Sequence, residues 1–213
     1  MVLDMRAEDA PDPLWSRFYL DPGKAASYEQ RRTRSWWRRL SWRRELALAR
    51  GLVVETGATR WLDLACGPGR TLEALPPGAV GVDLSFAMLE LGRERARRAG
   101  ATFVAADATR LPFAAARFEG VLCLRFLHHL TEPVRRSVLA EARRVATRWL
   151  VFSFPTSRTV RALSRRLRGK PLGPRRTVAD FARELGESGW TVKRSRMVVP
   201  LLSETTLVLA VRS

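Results

Sequence analysis

The chain has 213 residues, 46% of them hydrophobic, with 38 lysines and arginines against 21 acids and a net charge of +17. That length and apolar share suit one domain with a full core, and no apolar run reaches the roughly 18 residues of a membrane span. Cys66 and Cys123 are the only cysteines, too few for a disulfide scaffold or, alone, for a zinc site.

Only Lys24, Lys170 and Lys193 are lysine, a skew towards arginine that fits biased codon usage better than selection for one ligand. A field of this sign still attracts anionic partners, whether nucleic acid, acidic lipid or acidic small molecules. Met1 to Pro13 carries acids and prolines and lacks the apolar centre of a signal peptide, so a cytoplasmic enzyme is expected. A helix is predicted over 27–54 with Ser27 as its N-cap. Within it, arginines alternate with Trp36, Trp37 and Trp42. One reading is a covering helix whose Trp37, Leu40 and Leu48 pack on a sheet while the arginines face water. The other is a surface for lipid headgroups or stacked bases, since basic–aromatic faces suit both.

Trp61-Leu62-Asp63-Leu64 is a short apolar run carrying an acid, and it leads into Ala65-Cys66-Gly67-Pro68-Gly69-Arg70. A helical pattern, Thr71 to Leu75, follows. Glycine suits such a turn because, lacking Cβ, it lets the backbone bend sharply and approach a ligand. A helix N-terminus there would add unpaired N–H groups and a positive dipole end. A dinucleotide loop needs a third small residue for close helix–strand packing, and Leu72 stands in that region instead. Ala79 to Ser85 is a second apolar run ending in an acid, Asp83, with Leu84 beyond it and a helix carrying Met88 after that. A third strand, 101–105, leads to Asp107-Ala108 and on to Pro112-Phe113. Ligands of open parallel sheets collect at the carboxyl ends of strands, and an ionised carboxylate there can accept both hydroxyls of a ribose.

A fourth strand is expected over 117–125, ending at Arg125 and followed by Phe126-Leu127-His128-His129-Leu130. Next come a helix over 132–146, a strand over 149–154, and a basic segment, 157–176, whose Gly-Lys-Pro-Leu-Gly-Pro tail reads as a connection. That segment is either a substrate wall or a solvated loop. A helix over 177–188 sets Val178, Phe181 and Leu185 on one face, and strands over 190–199 and 207–211 close the chain as an antiparallel hairpin. Alternating strands and helices imply a parallel-rich sheet covered on both faces. Residues 1–56 read as an N-terminal helical cover and 57–213 as the ligand-binding domain, in one globular unit.

The glycine stretch resembles motif I of the class I S-adenosylmethionine (SAM) methyltransferases, D-x-(A/G)-C-G-x-G, with Ala65 where many members carry a first glycine. Gly81 to Leu89 resembles the second SAM motif, G-V-D-x-S-x-x-M-L, and Asp107 to Phe113 the adenine-facing D-A-x-x-L-P-F. Leu127 to Leu130 resembles the L-H-H-(L/V) segment of the small-molecule branch near ubiquinone and menaquinone biosynthesis enzymes. The resemblance spans 27–212, with its specific part from Asp63 to His129. It implies a single Rossmann-like domain with a seven-stranded, mostly parallel sheet, the last strand antiparallel, and helices on both faces. It also implies SAM as cofactor, with motif I holding the methionine part, Asp83 the ribose and Asp107 the adenine region. The cofactor-binding set so implied is Asp63, Ala65, Cys66, Gly67, Gly69, Arg70, Asp83, Leu84, Met88, Asp107, Ala108 and Arg125. Tyr28 and Arg32, four apart on one helical face, would close on the methionine end. No metal is expected.

Methyl transfer mainly needs the nucleophile held about 3 Å from the methyl carbon; a base is needed only where the nucleophile starts protonated. His128 and His129 are the candidates for that base, or else they fix the loop and border the cofactor pocket. There is no (D/N)-P-P-(F/Y/W) tetrapeptide after the fourth strand, no cysteine beside a proline as in cytosine C5 methylation, and no carboxylate cluster for a metal-dependent transfer. The expected function is therefore methyl transfer to a small, lipid-like or anionic acceptor, with peripheral membrane contact compatible with it. The alternatives are an RNA methyltransferase, a SAM-binding subunit or sensor without transfer activity, and a nicotinamide-linked reductase.

Overall fold

The computed structural model describes residues 35–155, 178–200 and 205–213. Tyr28, Arg32 and the basic 157–176 segment lie outside the described residues. In chain order the elements are α1 (Trp36–Thr56), β1 (Trp61–Leu64), β2 (Val80–Asp83), α2 (Phe86–Ala99), β3 (Thr102–Ala105), β4 (Phe118–Cys123), α3 (Glu132–Val145), β5 (Ala146–Pro155), α4 (Val178–Glu187), β6 (Trp190–Met197) and β7 (Thr205–Arg212).

The seven strands form one sheet in the order β3-β2-β1-β4-β5-β7-β6. β1 to β5 pair in parallel, and β7 runs antiparallel between β5 and β6. This is the Rossmann-like sheet expected from the motifs. The strand order reverses between β1 and β4, and the crevice outside that point is where ligands of open α/β sheets bind.

Strand alternation divides the core between two faces. Along β4, Val121 and Cys123 join Leu62, Leu64, Leu150 and Phe152 on one side, where α3 and α4 add Val138, Leu139, Phe181 and Leu185. Leu122 joins Trp61, Trp149, Val151, Leu207 and Leu209 on the other, covered by Ala49, Leu52 and Val53 of α1. β1 is buried at all four positions, as a central strand covered on both faces must be. α3 presents Val138, Leu139, Ala142 and Val145 to the core, the spacing of one helical stripe.

Two expectations need correction. The helix foreseen after the glycine loop is a single 3-10 turn, Leu72–Ala74. Leu75 is already extended at its end (φ −106°, ψ 154°), because the residue before a proline avoids the α region and Pro76-Pro77 follows. A three-residue turn brings almost no dipole, so the loop must bind through its own N–H groups. The helix foreseen over 27–54 is not continuous to Ser27, which lies outside the described residues: α1 begins at Trp36 after an extended Ser35 and runs to Thr56, where Gly57 caps it in the left-handed region (φ 67°). Trp37 and Leu48 pack partly against the core, but Leu40 is exposed.

Candidate active site

The turn after β1 is pinned to β2. Cys66 N–H donates to the Val82 carbonyl (2.9 Å) and Gly67 N–H to Asp83 Oδ2 (2.7 Å). Ala65, Gly67 and Gly69 are all left-handed, with φ of 57°, 54° and 69°. For Ala65 this costs roughly 1–2 kcal/mol that glycine would avoid. Gly69 is needed for space as well, since a Cβ there would sit 2.7 Å from Phe103 Cζ.

α2 holds the turn from below. A Cβ on Gly92 would fall 2.5 Å from the Pro68 carbonyl oxygen, and Arg95 Nη1 donates to that same oxygen. Sequence reading passed over Gly92. Its signal was a glycine inside a helix, which lacks helix propensity and so suggests close backbone approach.

Asp83 also accepts from Ser85 N–H at Oδ1 (2.9 Å). Burial pushes its carboxyl above the usual range, against the pull of the Ser85, Gly67 and Leu84 N–H groups. At the next tip, Asp107 Oδ1 accepts from Thr109 N–H (2.8 Å). The register sets Asp83 opposite Ala105, so the tips of β2 and β3 are neighbours. Asp63 lies deeper, 1% exposed, where it accepts from the Thr71 hydroxyl. Desolvation first, then the Asp83 charge, raises its carboxyl to about 7 against the lowering Thr71 bond. Burial, followed by the Asp63 and Asp83 charges, pushes the Cys66 thiol up, and burial followed by Asp63 does the same to Cys123. Both cysteines are held as thiols, a poor state for a nucleophile.

A cavity opens over these tips. Of the residues expected at the cofactor, it is lined by Ala65, Cys66, Gly67, Arg70, Asp83, Leu84, Met88, Asp107, Ala108 and Arg125. Asp63 and Gly69 support the turn and do not reach its wall. His129 lines it and His128 does not, although their rings stand 3.9 Å apart. Phe126, Leu130, Val134 and Val138 complete an apolar side next to His129.

Trp42, read from the sequence only as part of a basic–aromatic face, and Glu45, which no reading named, also stand at the site. Trp42 lines the cavity, with the Arg70 and Arg125 guanidinium carbons 4.6 Å and 5.4 Å from its ring centroid. Arg125 is itself left-handed (φ 57°), donates its N–H to Ser153 Oγ (2.8 Å), and bonds Glu45 Oε2 through Nε (2.6 Å). Glu45 is fully buried, and its Oε1 has no hydrogen-bond partner. It is the single acid among residues 31–50, a signal that could have marked it. The pair ties α1 to the tip of β4 at the cavity.

Residues 62–148 match the family model described as a methyltransferase domain. A demethylmenaquinone methyltransferase of Mycobacterium sp. (strain KMS) is 33% identical over 182 residues, covering 73% of this chain and 76% of that protein. A malonyl-[acyl-carrier protein] O-methyltransferase of Legionella pneumophila is 44% identical over 75 residues, 32% of this chain and 26% of the other. Among solved structures, the SAM-bound magnesium protoporphyrin IX methyltransferase of Synechocystis aligns with a TM-score of 0.64 at 21% identity, covering 83% of this chain and 81% of that one.

The cavity's chemistry agrees with that cofactor. A Cβ on Gly67 would meet nothing within 4 Å, so the turn borders open space there. Asp83 Oδ2 takes the Gly67 N–H and Oδ1 the Ser85 N–H, and a carboxylate with about four lone-pair sites keeps acceptor capacity beyond its backbone partners. Asp107 accepts the Thr109 N–H at Oδ1 and keeps acceptor capacity at Oδ2, beside the apolar Leu84, Met88 and Ala108. A nucleoside with vicinal hydroxyls and an exocyclic amine suits that set of acceptors. The chain belongs to the class I SAM-dependent methyltransferases, in their small-molecule branch, and SAM is its methyl donor.

Proposed function

We propose that the acceptor is a small, flat, mostly apolar ring bearing an ionisable hydroxyl, of the hydroquinone kind. The observation that carries this reading is the cavity side of Phe126, Leu130, Val134 and Val138 with His129 among them. Such a wall takes up a ring by apolar burial while a single imidazole faces its polar edge. The name of the 33% identical mycobacterial relative supports the same acceptor class.

In this reading Asp83 accepts the ribose hydroxyls, Asp107 the adenine amine, and the turn from Ala65 to Arg70 holds the methionine part. Tyr28 and Arg32 would close on that end. α1, with the preceding residues, acts as the cover, and Trp42 is its contact with the site. SAM, when bound, supplies an electrophilic methyl group on its sulfonium. The chain's own task is to hold the acceptor in line, keep water out of the apolar side, and take the hydroxyl proton on the His129 imidazole as the acceptor oxygen or ring carbon becomes nucleophilic. His128, off the wall, holds the turn.

Two results test these assignments. With SAM carrying a labelled methyl group and demethylated hydroquinones as acceptors, His129→Ala should lower kcat about a hundredfold with SAM affinity unchanged. Equal turnover by this variant would remove the base, and labelling confined to added RNA would remove the acceptor class. Asp83→Ala should weaken SAM binding by about 1–3 kcal/mol, the scale of hydrogen bonds lost at a charged group. An unchanged dissociation constant would contradict the ribose placement.

A further inference from the structure

The outward face of α1 is built unlike a solvated helix. Trp36, Leu40 and Val54 are 68%, 40% and 70% exposed. At 100° per residue they fall on one arc with the exposed Ala47, and Arg39, Arg43, Arg44 and Arg50 flank them. No carboxylate lies on that arc. Of the two acids in α1, Glu45 is buried on the opposite side, and Glu55 is taken by Arg194 of β6 (3.2 Å). On β6, Arg194 carries that ion pair and Arg196 extends the positive surface. Arg194 and Arg196 stand opposite Leu209 and Leu207, on the sheet face that α1 covers, and both are exposed.

We propose that this face of α1 docks the enzyme on an anionic lipid bilayer. Four arginines with no acid of α1 on their arc complement a negative headgroup layer. Trp36, Leu40 and Val54 supply the apolar contacts that reach the acyl boundary, with arginine stems lying alongside and their heads in the headgroups. Nucleic acid fits less well, because Leu40 and Val54 neither stack on bases nor hydrogen-bond to them, and the face is a convex helix rather than a groove. A second copy of the chain would meet like charge. Docked this way, α1 lies along the membrane plane, and Trp42 at the cavity is only about 9 Å along the helix axis from Trp36. A lipid-dissolved acceptor would then enter beside the surface that holds the enzyme. The docking does not depend on the acceptor assignment.

The test is co-sedimentation of the full chain with vesicles of phosphatidylcholine alone and of phosphatidylcholine with phosphatidylglycerol in equal parts. Retention on the anionic vesicles only is expected. Each of Arg39→Gln, Arg43→Gln and Arg44→Gln should weaken it about fivefold, and the double variant Trp36→Ser, Leu40→Ser about tenfold at high salt. No retention of the wild-type chain, or retention that these variants leave unchanged, would overturn the proposal. So would complete displacement by tRNA together with tRNA binding that the double variant leaves intact. SAM titration of each variant, expected unchanged, keeps a failure here separate from a failure of the methyl-transfer reading.

Discussion

Arg135→Met should cost the protein about 3–5 kcal/mol of folding stability, the loss that follows when one partner of a buried ion pair is removed. Arg135 and Glu184 are 2% and 7% exposed, joined through Nε to Oε1 at 2.5 Å and Nη2 to Oε2 at 3.0 Å. Arg135 Nη1 also donates to the Leu130 carbonyl (2.8 Å), and the guanidinium carbon lies 5.8 Å from the Phe181 ring centroid. One side chain thus joins α3, α4 and the end of the histidine turn. Methionine would fill much of the volume and leave the Glu184 carboxylate stranded. The pair itself need not add net stability, since desolvating two ions offsets their attraction. The double variant Arg135→Met, Glu184→Leu should therefore recover most of the loss. Urea denaturation of the three proteins measures this, and a single-variant loss below about 1 kcal/mol would mean that water reaches the pair.

The second large effect is a pH dependence centred on Asp63. Its carboxyl is raised from an ordinary 3.8 to about 7 in the folded chain. The folded state therefore keeps a proton that the unfolded chain gives up near pH 4. The contribution to stability is complete below about pH 4 and shrinks as pH rises towards 7, by about 4 kcal/mol in all at 1.36 kcal/mol per unit. Asp83 shifts in the same direction. Glu119, lowered by the Arg60 and Thr59 N–H groups, contributes the opposite slope. Asp63→Asn isolates the Asp63 share, because the amide keeps an acceptor for the Thr71 hydroxyl and cannot ionise. Thermal unfolding should show this variant more stable than wild type at pH 8, with the two converging towards pH 4. Parallel curves from pH 4 to 8 would mean that Asp63 ionises normally beneath the turn.

The crevice over the strand tips was legible because its signals are local. An acid at the end of an apolar run, as at Asp83 and before Asp107, lands at a strand tip whatever the rest of the chain does. The parallel-rich sheet followed from the alternation of strands and helices, and the antiparallel last strand from the resemblance to the family. What escaped depended on rotation about a helix and on space. Arginines surround α1, so periodicity did not show that Glu45, Ala49, Leu52 and Val53 face inward, or that Trp42 reaches the cavity. His128 and His129 are neighbours in a 3-10 turn, where successive side chains point about 120° apart, so only geometry could tell which one meets the cavity. The single turn in place of a helix was readable from Pro76-Pro77, which follow Leu75 directly. The need for Gly92 in α2 is spatial too, because the Pro68 carbonyl lies against it.

The central claim is that the crevice over β1, β2 and β3 is a SAM site. Titration calorimetry of the purified chain with SAM, S-adenosylhomocysteine and NADH tests it most directly. Binding of both sulfur ligands with dissociation constants of about 1–100 μM, a range worth roughly 5–8 kcal/mol, and none of NADH is the expected result. Silence for both sulfur ligands, or binding of NADH in their place, would contradict the account.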